Sequence, residues 1–252
     1  MDSLWIKNSG KSKKDFPVLD QDLDTEAVVI GAGIAGILTA YHLVKQGIKV
    51  VVLEGNTVGS GTTSHTTAKI TACHGLIYDR LLHQAGKKLA GCHAIANQKA
   101  ILAYRDLIDS EQIDCGFEML PCYLYTTGDT TALEAEYKAA ASFGLPVSMV
   151  TSTELPFPVT GAIRYEDQAQ FHPLQFLWQL ASHLNIYEHT MATKVKKIRY
   201  ILLPDFRYMP DISLQLHIIR LKICPDSILQ ECIRNAPMRW PYPVPLPCRV
   251  CT

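Results

Sequence analysis

Net charge is the first thing this sequence lacks: 24 Lys and Arg residues are balanced by 24 Asp and Glu. No global field draws such a chain to nucleic acid or to an anionic membrane surface. Long apolar runs are missing too. No stretch of 18 consecutive apolar residues occurs, so no membrane-spanning helix is expected. The most apolar segment, Val28 to Leu43, is interrupted by three glycines and a histidine. The opening MDSLWIKNSGKSKKDF is too polar for a secretory signal. Paired cysteine spacing is absent through most of the chain, where eight cysteines are scattered. That usage fits free thiols in a reducing compartment, and the expected location is cytoplasmic. Charged residues make up 19% against 48% hydrophobic, enough apolar side chains for a sizeable core. A chain of 252 residues then forms one large α/β domain or two small ones.

Glycine disappears part-way along. All 15 glycines lie at or before Gly161, whereas ordinary usage would put about six more in the remaining length. Eight of the 14 prolines follow Leu203, among them the alternating Pro241, Pro243, Pro245 and Pro247. Residues 198–252 carry 7 Lys+Arg against 4 Asp+Glu, a local +3. This segment is expected to be an irregular tail, out of frame with what precedes it or otherwise non-native sequence. Cys248-Arg-Val-Cys251 is a single CxxC without a second pair or a nearby histidine, so no metal site is expected there.

What the sequence does have is one ordered motif. Ala27 to Ile30 is short, apolar and β-branched, and therefore strand-like. Gly31-Ala32-Gly33-Ile34-Ala35-Gly36 follows at once, then a helical apolar pattern through Ile37, Leu38, Tyr41, Leu43 and Val44. A second buried strand, Lys49 to Leu53, ends on Glu54, 23 positions after Gly31. Gly31 permits the tight turn, Gly33 leaves room for a pyrophosphate, and Gly36 allows the helix to pack closely. The free N–H groups at the helix start face the phosphates, and Glu54 is placed to accept hydrogen bonds from a ribose. Strand, glycine turn, helix, strand and acid in this order point to a dinucleotide.

Next comes Gly59-Ser60-Gly61-Thr62-Thr63-Ser64-His65-Thr66-Thr67-Ala68-Lys69-Ile70-Thr71, crowded with small and hydroxyl residues. Backbone N–H and hydroxyl donors in such a loop suit an anion or a polar ring edge. Residues 1–24 read as a solvated polar arm with a lysine cluster (Lys7, Lys11, Lys13, Lys14) and an exposed aromatic, Trp5. Leu76 to Leu107 is helical, interrupted at Gly86 and Gly91, which predicts two helices. Phe117 to Thr127 predicts a strand pair hinged near Pro121. Thr131 to Phe143 predicts a helix closed by Gly144, with Pro146 just beyond. Strands are expected over Val147 to Val150, from Gly161 to Tyr165, and over Ile186 to Ala192; a helix over Leu174 to Leu184 starts on Pro173.

The fingerprint with its acid, GSGTTSHTTAKITACHGLIYD, FPVTGAIRYEDQAQFHPLQFLWQLA and IYEHT together resemble the glycine/D-amino-acid oxidase family of FAD-dependent oxidoreductases. They are most similar to its bacterial subgroup with a C-terminal Rieske iron–sulfur domain. The resemblance covers about residues 1 to 197. It implies an α/β fold: a Rossmann-like FAD-binding domain with a partial antiparallel substrate-side sheet. The expected divisions are an arm at 1–24, an FAD-binding region at 25–115, a partial substrate domain at 116–185, a return strand at 186–197 and a tail at 198–252.

By position, the resemblance puts FAD on Gly31, Ala32, Gly33, Ile34, Ala35, Gly36, Glu54, Gly61, Thr62 and Thr63. His65 and Lys69 become candidates beside the flavin, where a cation stabilises charge developing on the reduced ring. His172 is a candidate substrate contact, while His74 and His189 read as structural. The implied chemistry is hydride transfer from an amine-bearing carbon of an amine or amino acid to flavin N5, with no side-chain nucleophile required. The family's closing strand, its ring-covering C-terminal half and the Rieske ligands are not visible in the sequence. An inert FAD- or ADP-binding remnant is therefore the alternative reading, with a nicotinamide-dependent dehydrogenase a weaker third.

Overall fold

The computed structural model describes residues 3–8, 14–193, 221–223 and 250–251. Most of the predicted irregular tail lies outside the described residues. The two pieces of it that are described are short strands, not coil. The chain divides into two compact units, one holding residues up to Thr66 together with the segment from Pro173, the other holding Thr67–His172. These units do not coincide with divisions at 115/116 and 185/186. Helix α3 (Tyr78–Ser110) packs on the antiparallel sheet and so belongs with it.

In the first unit β2 (Ala27–Ile30), β3 (Val50–Leu53) and β8 (Ile186–Tyr187) form a parallel sheet in the order β2-β3-β8. All four residues of β3 are buried, as an apolar strand covered on both faces must be. Helix α2 (Ile34–Lys45) makes the crossover and buries Ile37, Ala40, Tyr41 and Leu43. Helix α5 (Pro173–Ala181) packs against α2, with Phe176 and Leu177 fully buried. Strand β8 is shorter than Ile186 to Ala192. At His189 the backbone turns left-handed (φ 52°), and residues 188–190 bond to loops instead of continuing a ladder.

The expectation of a solvated arm over residues 1–24 is corrected in two places. Leu19 is only 2% exposed, packed with Val51 and Leu53, and its N–H donates to Thr190 Oγ1 at 3.1 Å. Trp5, on the short helix α1 (Leu4–Asn8), is partly buried, and its indole N–H donates to the Thr66 carbonyl at 2.8 Å. Near the other end of the arm β1 (Leu23–Thr25) pairs antiparallel with β9 (Leu221–Ile223).

The second unit is built on an antiparallel sheet. Strand β7 (Gly161–Gln170) pairs with β5 (Glu118–Thr126), β6 (Val147–Val150) and β4 (Lys69–Ile70), and β5 also takes β10 (Val250–Cys251). The segment around Pro121 is one strand, not a hinged pair. Proline offers no N–H to the ladder, and β7 answers with a bulge: Leu120 faces Gln168 but Cys122 faces Tyr165, with Asp167 at φ 55°. Helix α3 breaks once, at Gly86 (φ 78°, ψ 164°), while Gly91 stays helical against Phe143. Helix α4 (Thr131–Ser142) ends as expected, with Gly144 at φ 78°.

One buried carboxylate joins these helices. Glu136 on α4 is fully buried, and it accepts the N–H groups of Ile77, Tyr78 and Asp79 at 2.9–3.0 Å, capping α3. Burial raises its pKa above the ordinary glutamate value, outweighing the three amide bonds that favour the charged form.

Candidate functional site

The turn from β2 into α2 begins with Gly31 at φ +97°, a conformation that glycine adopts without strain. A Cβ on Gly36 would run into the Gly31 carbonyl oxygen, so the first turn of α2 can fold back on the β2 end only with glycine there. Gly33 is the residue preceding α2, and no side chain caps the helix through it. The Ile34 N–H meets Thr63 Oγ1 at 3.3 Å, and the first turn holds no acidic residue. The start of α2 therefore presents N–H groups and the positive end of its dipole.

Glu54 closes the other side. Its Oε2 accepts the Ala32 N–H at 2.7 Å and its Oε1 the Asn56 N–H at 2.8 Å. A carboxylate has about four acceptor positions, so two protein bonds leave capacity for the hydroxyls of a diol. The loop after β3 is fixed from beneath: buried Glu188 accepts the Val58 N–H at 2.7 Å. A Cβ on Gly59 (φ +76°) would clash with Leu174 and Leu177 of α5.

Between these walls lies a cavity of about 480 Å³. Gly31, Gly33, Ile34, Ala35, Gly36, Glu54, Gly61, Thr62 and Thr63 line it, all expected from the sequence. Ala32 is fully buried behind the wall and contributes its N–H to Glu54. His65 is exposed and is not a lining residue; its Nδ1 lies 2.9 Å from Ser64 Oγ and 3.2 Å from the Gly61 carbonyl, within the turn Thr62–His65. Lys69 sits on β4 of the second unit, paired with Gln170, and does not line the cavity. His172 donates its N–H to the Cys115 carbonyl, and burial lowers its pKa. His74 Nε2 lies 3.3 Å from Asn97 Oδ1.

Sequence reasoning missed Ile30, Asn56, Gly59, Ser60 and Thr66 as lining residues. Gly59, Ser60 and Thr66 belong to the hydroxyl-rich loop already singled out. Asn56 carries no motif of its own and is drawn in by the Glu54 carboxylate. An anion-binding helix start facing an acceptor carboxylate across one cavity is an arrangement for a nucleotide pyrophosphate and its ribose.

Residues 26–201 match the FAD dependent oxidoreductase (DAO) family. The chain belongs to that family. Its cofactor is FAD, and the donors lining the cavity fit the group. The chain is 39% identical over 189 residues to YhfW of Bacillus subtilis (strain 168), named as a Rieske 2Fe-2S iron–sulfur protein; the match covers 72% of this chain and 37% of YhfW. Among solved structures, L-proline dehydrogenase from P. horikoshii superposes with a TM-score of 0.55 at 19% identity, covering 75% of this chain and 48% of that one. Glycine oxidase from Geobacillus kaustophilus gives 0.53 at 21%, covering 69% and 48%. The fold is thus the α/β fold of FAD-binding oxidases, and the chain matches between 37% and 48% of the length of these relatives. Among the described residues no helix is long and apolar enough to cross a membrane.

Proposed function

We propose that the first unit binds FAD and that the chain serves an oxidoreductase acting on an amino acid or amine. The observation that carries this reading is the cavity shared by the N-terminal end of α2 and the Glu54 carboxylate. FAD, when bound, supplies the acceptor for the two electrons of a C–H bond beside the amine nitrogen. The chain's own residues do the holding. The N–H groups at the start of α2 and the bare backbone at Gly33 take the pyrophosphate. Glu54 orients the adenosine ribose through its remaining lone pairs. Thr62, Thr63 and the backbone of Gly61 close the loop over the phosphates. The names of the relatives, glycine oxidase and L-proline dehydrogenase, support a small amino-acid substrate.

The test is a visible absorption spectrum of the purified chain before and after saturation with FAD and desalting. A retained flavin band is expected, bleached anaerobically by an amine or amino acid from a screened set. A Gly36→Ala chain should lose the band, because its new methyl group meets the Gly31 carbonyl oxygen. Retention without bleaching by any amine, or a colourless parent chain that binds ADP weakly, would favour the inert FAD- or ADP-binding remnant; absence of the band overturns the FAD-dependent oxidoreductase reading.

A further inference from the structure

One tether of the cradle comes from far away in sequence. The loop of residues 59–66 is held to the start of α2 at two points. The Gly59 N–H donates to the Ala32 carbonyl at 3.0 Å, and Thr63 Oγ1 accepts the Ile34 N–H at 3.3 Å. The far end of the loop is tied to the N-terminal arm: the Thr66 carbonyl accepts the Trp5 indole N–H at 2.8 Å, and Thr66 lines the cavity. Between Thr63 and Thr66 the chain is wound into the turn Thr62–His65, which Ser64 Oγ closes on the Ser60 and Gly61 carbonyls at 3.1 and 2.9 Å. A turn closed in this way moves as one piece, so a shift at Thr66 is felt at Thr62 and Thr63.

The tether is also one that can open. Helix α1 starts after Ser3, whose Oγ accepts the Ile6 N–H at 3.3 Å, and it rests against the turn Thr62–His65 and against α5. A helix of five residues does not persist on its own, because nucleation costs more than so few hydrogen bonds return. None of the five is buried; Leu4 and Ile6 are exposed, and Trp5 is partly buried. The docked and undocked forms of α1 therefore differ little in free energy, and a ligand that binds one of them better shifts the balance.

We propose, on the reading of this cavity as an FAD site, that Trp5 is a positioning residue for the cofactor. Its indole clasps the loop in the shape that takes the phosphates, and the phosphates in turn hold the clasp shut. With α1 undocked, the Thr66 end of the loop loses this tether, and Thr62 and Thr63 lose their fixed aim at the pyrophosphate. With α1 docked, less ordering is left for the nucleotide to impose. Linkage makes the two effects equal: the factor by which docking tightens nucleotide binding is the factor by which the nucleotide tightens docking.

The experiment titrates the full chain, freed of flavin, with ADP and with adenosine, which lacks the phosphates, in the parent and in Trp5→Phe. Phenylalanine keeps an aromatic ring on α1 and removes the donor. Trp5→Phe should weaken ADP binding about two- to tenfold, the range for one hydrogen bond between neutral groups, and leave adenosine binding unchanged. In the parent the Trp5 indole proton, identified by NMR as the cross-peak that Trp5→Phe lacks, should exchange with solvent more slowly by the same factor once ADP saturates, and at its original rate with adenosine. A tryptophan that merely stabilised the arm would show no such dependence on the phosphates. Equal ADP affinity in the two chains, with an indole exchange rate that ADP leaves unchanged, overturns the clasp while the FAD reading stands. A loss of adenosine affinity as large as that of ADP overturns the clasp as well. A parent chain that binds neither ADP nor FAD overturns the clasp and the FAD reading together. If Trp5→Phe fails to fold, the exchange rates of the parent decide.

Discussion

Glu136 illustrates how a single residue can matter without belonging to any motif. In the sequence it is one of two glutamates on a good helix, indistinguishable from a solvated charge. In the fold its carboxylate supplies the acceptor for three N–H groups at the start of another helix. Replacing it with alanine leaves those donors, one buried and two partly buried, without their acceptor. We expect Glu136→Ala to lose about 1–3 kcal/mol in urea unfolding, the cost of one unsatisfied buried amide beside two partly buried ones. Its titration has a definite sign. With the folded pKa raised, the folded chain keeps a proton that the unfolded chain has already released. The stability tied to this group is therefore full below the ordinary glutamate pKa and falls as pH rises through the raised value. Urea titrations across the mildly acidic range should show that decline in the parent chain and its absence in Glu136→Gln.

At the scale of elements, two glycines of α3 look alike in sequence and behave differently in space. Both interrupt the apolar pattern, yet only Gly86 leaves the helix, at φ 78°, where an L-residue is strained. Gly91 is helical, and a Cβ there would stand in ordinary contact with Phe143 at 3.4 Å. Gly86→Ala should therefore destabilise by about 1–2 kcal/mol, and Gly91→Ala should be neutral or stabilise by up to about 1 kcal/mol through helix propensity. Thermal unfolding of the two variants side by side checks the opposite signs; equal losses would mean that the helix does not run through Gly91. The strand β5 carries the same lesson. Pro121 correctly signalled a break in hydrogen bonding, but β7 absorbs it with the Asp167 bulge, so the element stays whole.

For the whole molecule, the N-terminal arm is the part whose role depends on residues far away in sequence. Leu19 fills a core position beside Val51 and Leu53, and Thr190 holds its N–H from 171 positions further on. Leu19→Ala should cost about 2–4 kcal/mol, as truncation of a buried leucine does. A chain lacking residues 1–24 should lose more, along with the indole bond to Thr66 at the rim of the cradle. Its Tm should fall and any bound flavin should wash out faster on desalting. An unchanged Tm would return the arm to the solvated segment that its composition suggests.

The sequence by itself determined the cradle, because its logic is local. Gly31, Gly33 and Gly36 act within one turn, α2 follows directly, and the parallel crossover brings Glu54 alongside at a fixed distance along the chain. A contiguous motif carries its own geometry, and nine of the expected residues line one cavity for that reason. The tertiary structure decided whatever depends on partners remote in sequence. It buried Leu19 and partly buried Trp5 of a polar-looking arm, and joined Glu136 to a helix start 57 or more positions earlier. It also left His65 in its own turn and Lys69 on β4, since a residue type in a glycine-rich loop does not fix where its side chain ends up. Composition and spacing report what a residue can do, and only packing selects which neighbour it does it with.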